Sequence, residues 1–569
     1  MKEKEEVNGG DLIAHVLKSE DVKHIFAVCG MQINFVLSAA EKRGINIISF
    51  RHEGGAASAA DGYARASGEV GVAAHTAGMV GLVCEPLINS FRYGTPLVVL
   101  GAASRTAGKD TGQLQDLDQR LVARSITKWC DRIETWTRLP EYVGTAFRHA
   151  KAGFPGPAYL DLAQEVLTNK GDISTVNIPT PNQYRTKAQV AGDPEYIRQA
   201  LKLLLNAEKP IILAGPDVFW SRGWDELREF AELTNIQVTY YLGLLGLIPY
   251  KHPLSVCGVN TSDADVALLI GERPNVNITR QFMTDPPLIG PDTNIIHVFP
   301  DQDTVGALFN IRLGIVGNAK TVLKQMIKET KKMQSQGQGT DHSKWLNTLQ
   351  ARKEEYNKKL KEMEDKFWNH RPIHLARLSR EIIDAVDENA TFVVDGANCT
   401  HWFRKWACTH DKYPRQTIDV LQTGISAVGP GIPMAIGTKL ARMDRQVICF
   451  IGDGAFGQYA MELETAFHNR IPITVVVANN SGWGVFLGDQ EWEASPRWEI
   501  FEQKIRYDKL AEALGCHGEY VEDPDEIKSA LTRALEAASK GQPSLVNVVI
   551  SVKNNNLRTS GFDKYITSK

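Results

Sequence analysis

The sequence predicts an α/β protein of three domains, each built on a mostly parallel sheet with helices on both faces. Its 569 residues exceed the roughly 250–300 residues at which a single hydrophobic core stops growing. Short apolar runs rich in β-branched residues, such as 210–215, 391–396 and 473–480, alternate with amphipathic helical windows along the chain. Continuous apolar strands separated by helices are typical of parallel sheets covered on both faces.

Two polar segments set the expected domain boundaries. Residues 178–193 contain two prolines and no apolar period, and residues 331–344 are rich in Gln, Gly and Ser. A long helix with many Lys/Glu pairs is expected over about residues 345–367. The expected domains span residues 1–180, 194–332 and 368–569.

The composition excludes several classes of protein. A net charge of −3 and a pI near 6.6 give no electrostatic footprint for nucleic acid or an acidic membrane. The first ten residues carry no apolar run and no long apolar stretch follows, so we expect neither a signal peptide nor a membrane span. The eight cysteines are scattered without a C-x-x-C pair, which favours reduced, buried thiols in the cytoplasm over a zinc site. A catalytic cysteine is the alternative.

The first and last domains show the same local order of elements. A helix of small residues, 56–68, runs into the apolar strand 70–75, and a second one, 429–444, runs into the strand 446–454. We therefore expect two related domains on either side of a different middle one.

The motif G-D-G-A-F-G, residues 452–457, directly follows an apolar strand. It matches G-x-G-x-x-G, in which backbone amides bind the pyrophosphate of a dinucleotide. That site requires Asp or Glu at the end of the next strand, whereas this strand ends in Asn479 and Asn480. Asp453 would also repel a bare pyrophosphate. Both departures are explained if a cation lies between the loop and the phosphates.

A magnesium site is therefore expected at this edge of the sheet. Mg²⁺ takes oxygen ligands in octahedral geometry, completed by phosphate oxygens and water. Asp453 supplies a carboxylate, Asn480 a neutral carbonyl oxygen 27 positions later, and Gly482 a backbone carbonyl. Both strand ends face the same edge of a parallel sheet, where ligands of such sheets bind.

G-D-G followed by N-N at this spacing resembles the signature of thiamine-diphosphate enzymes. The segment Arg51-His52-Glu53 also resembles the family's segment that carries the catalytic glutamate. The resemblance implies that Glu53 hydrogen-bonds N1′ of the aminopyrimidine and promotes the tautomer that deprotonates C2 of the thiazolium. The alternative is that Glu53 only caps a helix.

The resemblance implies thiamine diphosphate and Mg²⁺ as cofactors, with the aminopyrimidine in the first domain and the diphosphate in the last. Because the two halves meet different chains in this family, it also implies a homodimer or homotetramer. Val428 matches the apolar residue that supports the bent cofactor, or is an ordinary core valine. The other cofactor contacts that the resemblance implies are Gly396, Asn398, Gly452, Gly454 and Ala455.

Three stretches of sequence narrow the choice of enzyme within this family. Residues 452–480 and 393–406 resemble the 2-hydroxyacyl-CoA lyase and oxalyl-CoA decarboxylase group, and residues 101–119 resemble the lyases' segment beside the reactive carbon. The last resemblance implies that Leu114 and Gln115 contact the substrate. Gln115 favours a lyase over an oxalyl-CoA decarboxylase, although acetolactate synthases also carry Gln there.

We therefore expect a 2-hydroxyacyl-CoA lyase that gives formyl-CoA and a ketone or aldehyde. The alternatives are an acetolactate-synthase-type carboligase, an oxalyl-CoA decarboxylase and a silent nucleotide-binding scaffold. A lyase needs a base for the substrate hydroxyl, and Glu493, with Glu491 second, is the candidate unless these are solvated surface residues. His75 would suit proton transfer, or is a buried structural histidine.

The expected CoA contacts are Arg404, which matches an arginine of the group's CoA site, together with Arg273 and Asn398. The tail, residues 553–569, resembles a segment that closes over CoA, or is a frayed terminus. Relatives bind ADP or FAD in the middle domain. We expect the nucleotide part of CoA, or ADP, in that domain rather than FAD.

Overall fold

The computed structural model describes most of the chain. The described residues are 5–240, 246–274, 278, 288–308, 310–337, 341–409, 417–420, 425, 427–484 and 497–552. They form three parallel sheets covered by helices on both faces, so the predicted three-domain α/β fold is confirmed.

The first domain is a parallel sheet of six strands in the order β3-β2-β4-β5-β7-β6, flanked by an antiparallel pair β1-β8. Its strands are β1 (Glu6–Asn8), β2 (His24–Ala27), β3 (Asn46–Ser49), β4 (Gly71–His75), β5 (Leu97–Ala103), β6 (Trp129–Ile133), β7 (Pro157–Ala163) and β8 (Lys170–Asp172). Its helices are α1 (Gly9–Ser19), α2 (Asn34–Lys42), α3 (Glu53–Ser67), α4 (Cys84–Tyr93), α5 (Gln119–Ala123), α6 (Leu139–Lys151), α7 (Gln164–Thr168) and α8 (Pro181–Tyr184).

The middle domain is a parallel sheet of five strands in the order β10-β9-β11-β12-β13. The strands are β9 (Pro210–Ala214), β10 (Gln237–Tyr240), β11 (Val266–Ile270), β12 (Asn294–Phe299) and β13 (Leu313–Val316). The helices are α9 (Pro194–Leu205), α10 (Pro216–Trp220), α11 (Trp224–Thr234) and α12 (Ala319–Ser335), followed by the long α13 (Ser343–Phe367).

The last domain is a parallel sheet of six strands in the order β15-β14-β16-β17-β19-β18. The strands are β14 (Thr391–Asp395), β15 (Thr417–Asp419), β16 (Val447–Gly452), β17 (Thr474–Asn479), β18 (His517–Val521) and β19 (Ser544–Val549). The helices are α14 (Leu375–Ala385), α15 (Ala397–Thr409), α16 (Gly431–Ala441), α17 (Asp453–Tyr459), α18 (Glu462–His468), α19 (Tyr507–Ala513) and α20 (Ile527–Ser539).

The first and last domains share one strand order, which confirms the predicted duplication. Numbered within each six-stranded sheet, both run 2-1-3-4-6-5, whereas the middle sheet runs 2-1-3-4-5. The equivalent helices α3 and α16 pack on each other. A Cβ atom at Gly437 would lie 1.8 Å from the Ala59 carbonyl oxygen, and one at Gly62 would lie 2.3 Å from the Met434 carbonyl oxygen. The small residues are thus explained by backbone-to-backbone contact between the two domains.

The segments expected to be linkers are partly ordered. Residue Glu20 binds both Tyr184 and Arg185, which fixes the segment after α8 to the first domain. Helix α12 continues into the second segment as far as Ser335, because Met333 is buried in the core. No helix among the described ranges is long and apolar enough to cross a bilayer.

Candidate functional site

Three oxygen atoms converge where β16 and β17 end. The side-chain oxygen of Asn480 lies 2.9 Å from Oδ1 of Asp453 and 2.8 Å from the carbonyl oxygen of Gly482. Without a cation, rotating the Asn480 amide by half a turn would let its nitrogen donate to both oxygens. With a divalent cation between them, the oxygen orientation is the favourable one, because Mg²⁺ is bound by such oxygens. The donor set therefore fits the predicted metal site.

Asp453 is held in the position that a metal ligand needs. It follows β16 directly as the first residue of α17, so the helix begins inside the motif instead of after it. Its Oδ2 accepts the Gly482 N–H at 3.1 Å and its Oδ1 accepts the Gly454 N–H at 3.0 Å. Burial raises the pKa of Asp453 to about 7, although these hydrogen bonds act to lower it. A bound cation would favour the ionised carboxylate.

Close backbone contacts surround this loop. Gly396 has φ +95°, and a Cβ atom there would lie 3.2 Å from the Gly452 nitrogen. A Cβ atom at Gly454 would lie 2.8 Å from the Trp483 ring, so the indole covers the loop. Only glycine fits either position without displacing a neighbour. Ala455 is buried beneath the loop.

Asn398 and Val428 lie beside the same edge. A Cβ atom at Gly484 would lie 2.2 Å from Nδ2 of Asn480 and 3.2 Å from Nδ2 of Asn398, which places the two amides around one glycine. Val428 is half-buried against the core that the first and last domains share. The next residues are held by Asp395, which accepts the N–H groups of Gly429 at 3.0 Å and Gly431 at 2.8 Å. The roles of Asn398 and Val428 in binding the cofactor stay predictions.

Glu53 begins α3 and is only 9% exposed. His52 caps the helix by accepting the Gly54 N–H at 3.0 Å, so the glutamate is not needed as the cap. Residues of the last domain support this turn. A Cβ atom at Gly54 would lie 2.5 Å from the Tyr459 hydroxyl oxygen. The buried Glu462 accepts the Arg51 N–H at 3.4 Å.

Gln115, Leu114 and His75 lie at or beside the carboxyl ends of the first domain's strands. Gln115 has φ +62° and is half-exposed, and Leu114 is 79% exposed. His75 is 1% exposed. Its Nδ1 lies 2.8 Å from the Thr76 carbonyl oxygen and its Nε2 lies 3.2 Å from the Tyr159 hydroxyl. Burial lowers the pKa of His75 to about 4, which favours the structural alternative.

Arg404 is enclosed within the last domain, where it has a carboxylate partner. It is 4% exposed and forms an ion pair at 2.5 Å with Asp419, which is itself buried. The Asp419 carbonyl also accepts from Arg65 of the first domain at 3.4 Å. A buried guanidinium with a carboxylate partner is not presented to a phosphate of CoA. The structure therefore gives Arg404 no support as a CoA contact, and that assignment stays a prediction.

Arg273 also serves a domain contact. Its Nη1 donates to the Phe91 carbonyl at 3.0 Å, and its guanidinium lies 4.9 Å from the centre of the Phe154 ring. The predicted base Glu493, its alternative Glu491 and the predicted CoA-covering tail lie outside the described residues.

The middle domain carries acidic groups at the ends of its strands. Burial raises the pKa of Asp217, after β9, to about 7, and that of Glu272, after β11, to about 8. Asp301, after β12, also has a raised pKa, again from burial. Such groups do not favour a diphosphate nearby. The ADP expected in this domain therefore gains no support here.

The cysteine beside the metal loop is not a reactive thiol. The seven described cysteines are free. Cys399, which lies under the metal loop, is buried, and burial raises its pKa well above the usual range. A thiol in this state is not a nucleophile.

Several supporting residues were not anticipated from the sequence. Tyr459 and Glu462 lie on α17 and α18, after the metal loop. The sequence predicted a helix there but gave no sign that these side chains contact the turn that carries Glu53. Thr76 directly follows β4 and donates to Gln32, which lies between β2 and α2 and donates to Gln115. A polar residue directly after a parallel strand, as at Thr76, was a usable signal, because such positions lie at the ligand-binding edge of the sheet.

The fold and site define a three-domain α/β protein with an acidic loop at the carboxyl edge of its last sheet, where the converging oxygens fit a cation. Three family models match the chain, all described as thiamine pyrophosphate enzyme. They are the N-terminal TPP binding domain over residues 7–122, the central domain over 197–326 and the C-terminal TPP binding domain over 395–548.

The 2-hydroxyacyl-CoA lyase of Arabidopsis thaliana is 30% identical over 574 residues, covering 96% of this chain and 96% of that protein. The probable acetolactate synthase large subunit of Methanococcus aeolicus is 29% identical, covering 96% and 92%. The 2-hydroxyacyl-CoA lyase 1 of Mus musculus is 26% identical, covering 96% and 95%. This chain belongs to the thiamine pyrophosphate enzyme family.

Proposed function

We propose that this protein is a 2-hydroxyacyl-CoA lyase that uses thiamine diphosphate and Mg²⁺ to give formyl-CoA and a ketone or aldehyde. The observation that carries the cofactor chemistry is the convergence of the Asn480, Asp453 and Gly482 oxygens. Support for the substrate class comes from the lyase that is 30% identical along 96% of both chains. It also comes from Gln115 in a segment similar to the lyases' substrate-contacting segment.

Each of the predicted site residues would have a distinct role in this reaction. Asp453, Asn480 and Gly482 would hold Mg²⁺, and through it the diphosphate. When bound, thiamine diphosphate would supply a nucleophilic carbon to attack the substrate carbonyl and a thiazolium ring to take up the electron pair of the broken C–C bond. Glu53, in its buried position, would share a proton with the aminopyrimidine. Gln115 would donate a hydrogen bond to the substrate oxygen that gains negative charge.

A second subunit is part of the proposal. The carboxyl edge of the first domain exposes large apolar side chains: Met31 is 72%, Leu114 79% and Leu121 75% exposed in the single chain. Apolar groups of this size on a functional edge favour a protein contact. We therefore propose a homodimer or homotetramer, with Glu53 of one subunit serving the metal-bound cofactor of another.

The second candidate is a 2-keto-acid carboligase of the acetolactate-synthase type. The observation that favours it is that two predicted CoA contacts already have partners in the protein: Arg404 pairs with Asp419, and Arg273 donates to the Phe91 carbonyl. An acetolactate synthase subunit that is 29% identical adds support. An oxalyl-CoA decarboxylase remains the third candidate, and Gln115 is the residue that disfavours it.

Mass-spectrometric product analysis distinguishes the candidates. The protein would be incubated with thiamine diphosphate, Mg²⁺ and, separately, short 2-hydroxyacyl-CoAs, oxalyl-CoA and pyruvate. Formyl-CoA with a ketone or aldehyde, formed from a hydroxyacyl-CoA, is the expected result. Acetolactate from pyruvate with the CoA esters unchanged would replace the lyase by the carboligase. Formyl-CoA and CO₂ from oxalyl-CoA alone would indicate the decarboxylase.

A further inference from the structure

Three polar side chains of the first domain form a hydrogen-bonded chain. The Thr76 hydroxyl donates to Oε1 of Gln32 at 2.7 Å, and Nε2 of Gln32 donates to Oε1 of Gln115 at 3.3 Å. Thr76 directly follows β4, Gln32 lies between β2 and α2, and Gln115 lies between β5 and α5. Because β2, β4 and β5 are neighbours in the sheet, the three residues meet at one edge.

Gln32 is the central residue of this hydrogen-bonded chain and is unusually buried for a glutamine. Only 7% of it is exposed, and a buried carboxamide is costly unless both its oxygen and its nitrogen have partners. Thr76 satisfies the oxygen, and Gln115 satisfies the nitrogen. Thr76 is itself tightly placed, since a Cβ atom at Gly30 would lie 2.5 Å from its hydroxyl oxygen. Gln32 is therefore held in one orientation.

Gln115 has features of a side chain that needs such support. It sits in the left-handed region at φ +62°, which is unfavourable for a non-glycine residue. It packs on Gly78, where a Cβ atom would lie 3.3 Å from the Gln115 Cβ. A free glutamine would also lose side-chain entropy on adopting a single orientation. Strain of this kind persists where surrounding contacts fix the residue.

We infer that Gln32 and Thr76 are positioning residues that fix the Gln115 carboxamide so that its NH₂ group is the donor offered to the substrate. The direction follows from the order of the bonds: the hydroxyl donates to Gln32, Gln32 donates to the Gln115 oxygen, and the Gln115 nitrogen is left to donate onward. This inference rests on the proposed role of Gln115 beside the reacting carbon. It adds two residues that never need to touch the substrate.

A double-mutant cycle tests the inference with whichever panel substrate the enzyme turns over. Gln115→Ala should lower kcat about a hundredfold or more, as for removal of a positioned donor to a developing oxyanion. Gln32→Ala and Thr76→Val should each lower kcat about tenfold with little change in KM, while Thr76→Ser should keep near-full activity. In the Gln115→Ala background, Gln32→Ala should cause no further loss.

Two controls separate positioning from damage. Gln113→Ala removes another loop glutamine, which donates to the Arg105 carbonyl at 2.7 Å, and should leave kcat within about twofold. Exchange of the cofactor C2 proton, measured without substrate, should be unchanged in the Gln32 and Thr76 variants, because it depends on Glu53. An equal loss on Gln32→Ala in both backgrounds, or slowed C2 exchange, would overturn the inference.

The inference can fail separately from the proposed function. Hydrogen–deuterium exchange of the peptide spanning 111–119 needs no substrate, and Gln32→Ala and Thr76→Val should speed it about tenfold. If no panel substrate is processed, the proposed function is wrong, and the exchange measurement alone decides on the positioning. Unchanged exchange in both variants would then overturn it.

Discussion

Nε of Arg51 donates to a Glu464 carboxylate oxygen at 2.8 Å, which joins the turn before Glu53 to helix α18 of the last domain. The Arg51 side chain is 58% exposed, and an exposed ion pair contributes only about 0–1 kcal/mol. Glu462, on the same helix, is buried and accepts the backbone N–H of Arg51. The buried carboxylate, rather than the exposed pair, is therefore the main support of this turn.

Glu462→Ala should slow exchange of the cofactor C2 proton about tenfold and lower Tm. Loss of the acceptor of this part-buried N–H costs about 1 kcal/mol, and the turn that carries Glu53 would shift to recover it. Glu462→Gln keeps an acceptor oxygen and should be milder. Arg138→Ala breaks an exposed Arg–Glu pair, 50% and 57% exposed, and should change neither quantity. An effect of Arg138→Ala as large as that of Glu462→Ala would contradict this account.

Glu53→Gln should abolish measurable C2-proton exchange and lower turnover by about 10²–10⁴-fold, the usual contribution of a proton-transfer group. The fold should be kept, because His52 rather than Glu53 caps α3. NMR of the cofactor proton in D₂O and thermal unfolding check the two parts. Normal exchange in this variant would remove Glu53 from the mechanism.

Asp453→Asn should remove the Mg²⁺-dependent rise in Tm that thiamine diphosphate gives to the wild type. The amide keeps an oxygen for the Gly482 N–H but loses the acceptor of the Gly454 N–H, so the protein without cofactor should stay folded and melt within a few degrees of the wild type. The matching comparison is wild-type protein with EDTA, which should behave like the variant. A cofactor-dependent rise that survives in Asp453→Asn would place the metal elsewhere.

Gly454→Ala and Gly457→Ala form a matched pair on one short helix. The first Cβ would lie 2.8 Å from the Trp483 ring, whereas the second meets nothing within 4 Å. Overpacking costs about 1–3 kcal/mol, so Gly454→Ala should raise the Kd for thiamine diphosphate about fivefold or more. Gly457→Ala should leave the Kd unchanged and Tm unchanged or raised. Tryptophan fluorescence titration measures both, and equal Kd values would refute the predicted clash.

His75→Gln should alter the pH dependence of stability rather than that of turnover. Burial lowers the pKa of His75 from 6.5 to about 4, so the unfolded state takes up its proton first as the pH falls. The stability that the neutral ring contributes is complete above pH 6.5 and is lost between 6.5 and about 4. Wild-type Tm should therefore fall more steeply over that range than the variant's. A limb of the kcat profile that moves with this substitution would show a catalytic histidine instead.

The site residues that the sequence predicted are those whose positions follow from local sequence patterns. Asp453 and Asn480 end neighbouring parallel strands, so the strand pattern and a spacing of 27 positions place their side chains at one edge. The duplicated domains could be predicted from two helix–strand units, because backbone contact between helices requires small residues. The ion pair of Arg404 with Asp419 could not be predicted in this way, since the two residues lie on a helix and on a separate short strand that no local pattern links.

The sequence by itself determined the three α/β domains, the convergence of the Asp453, Asn480 and Gly482 oxygens and the turn that carries Glu53, because strand periodicity and residue type control these features locally. Only the tertiary structure decided that His75 is enclosed and that Gln32 joins Thr76 and Gln115 across 44 and 83 positions. The strand order 2-1-3-4-6-5 places these segments side by side. The order of strands in a sheet is set by packing energy summed over the whole domain, which no local pattern reports.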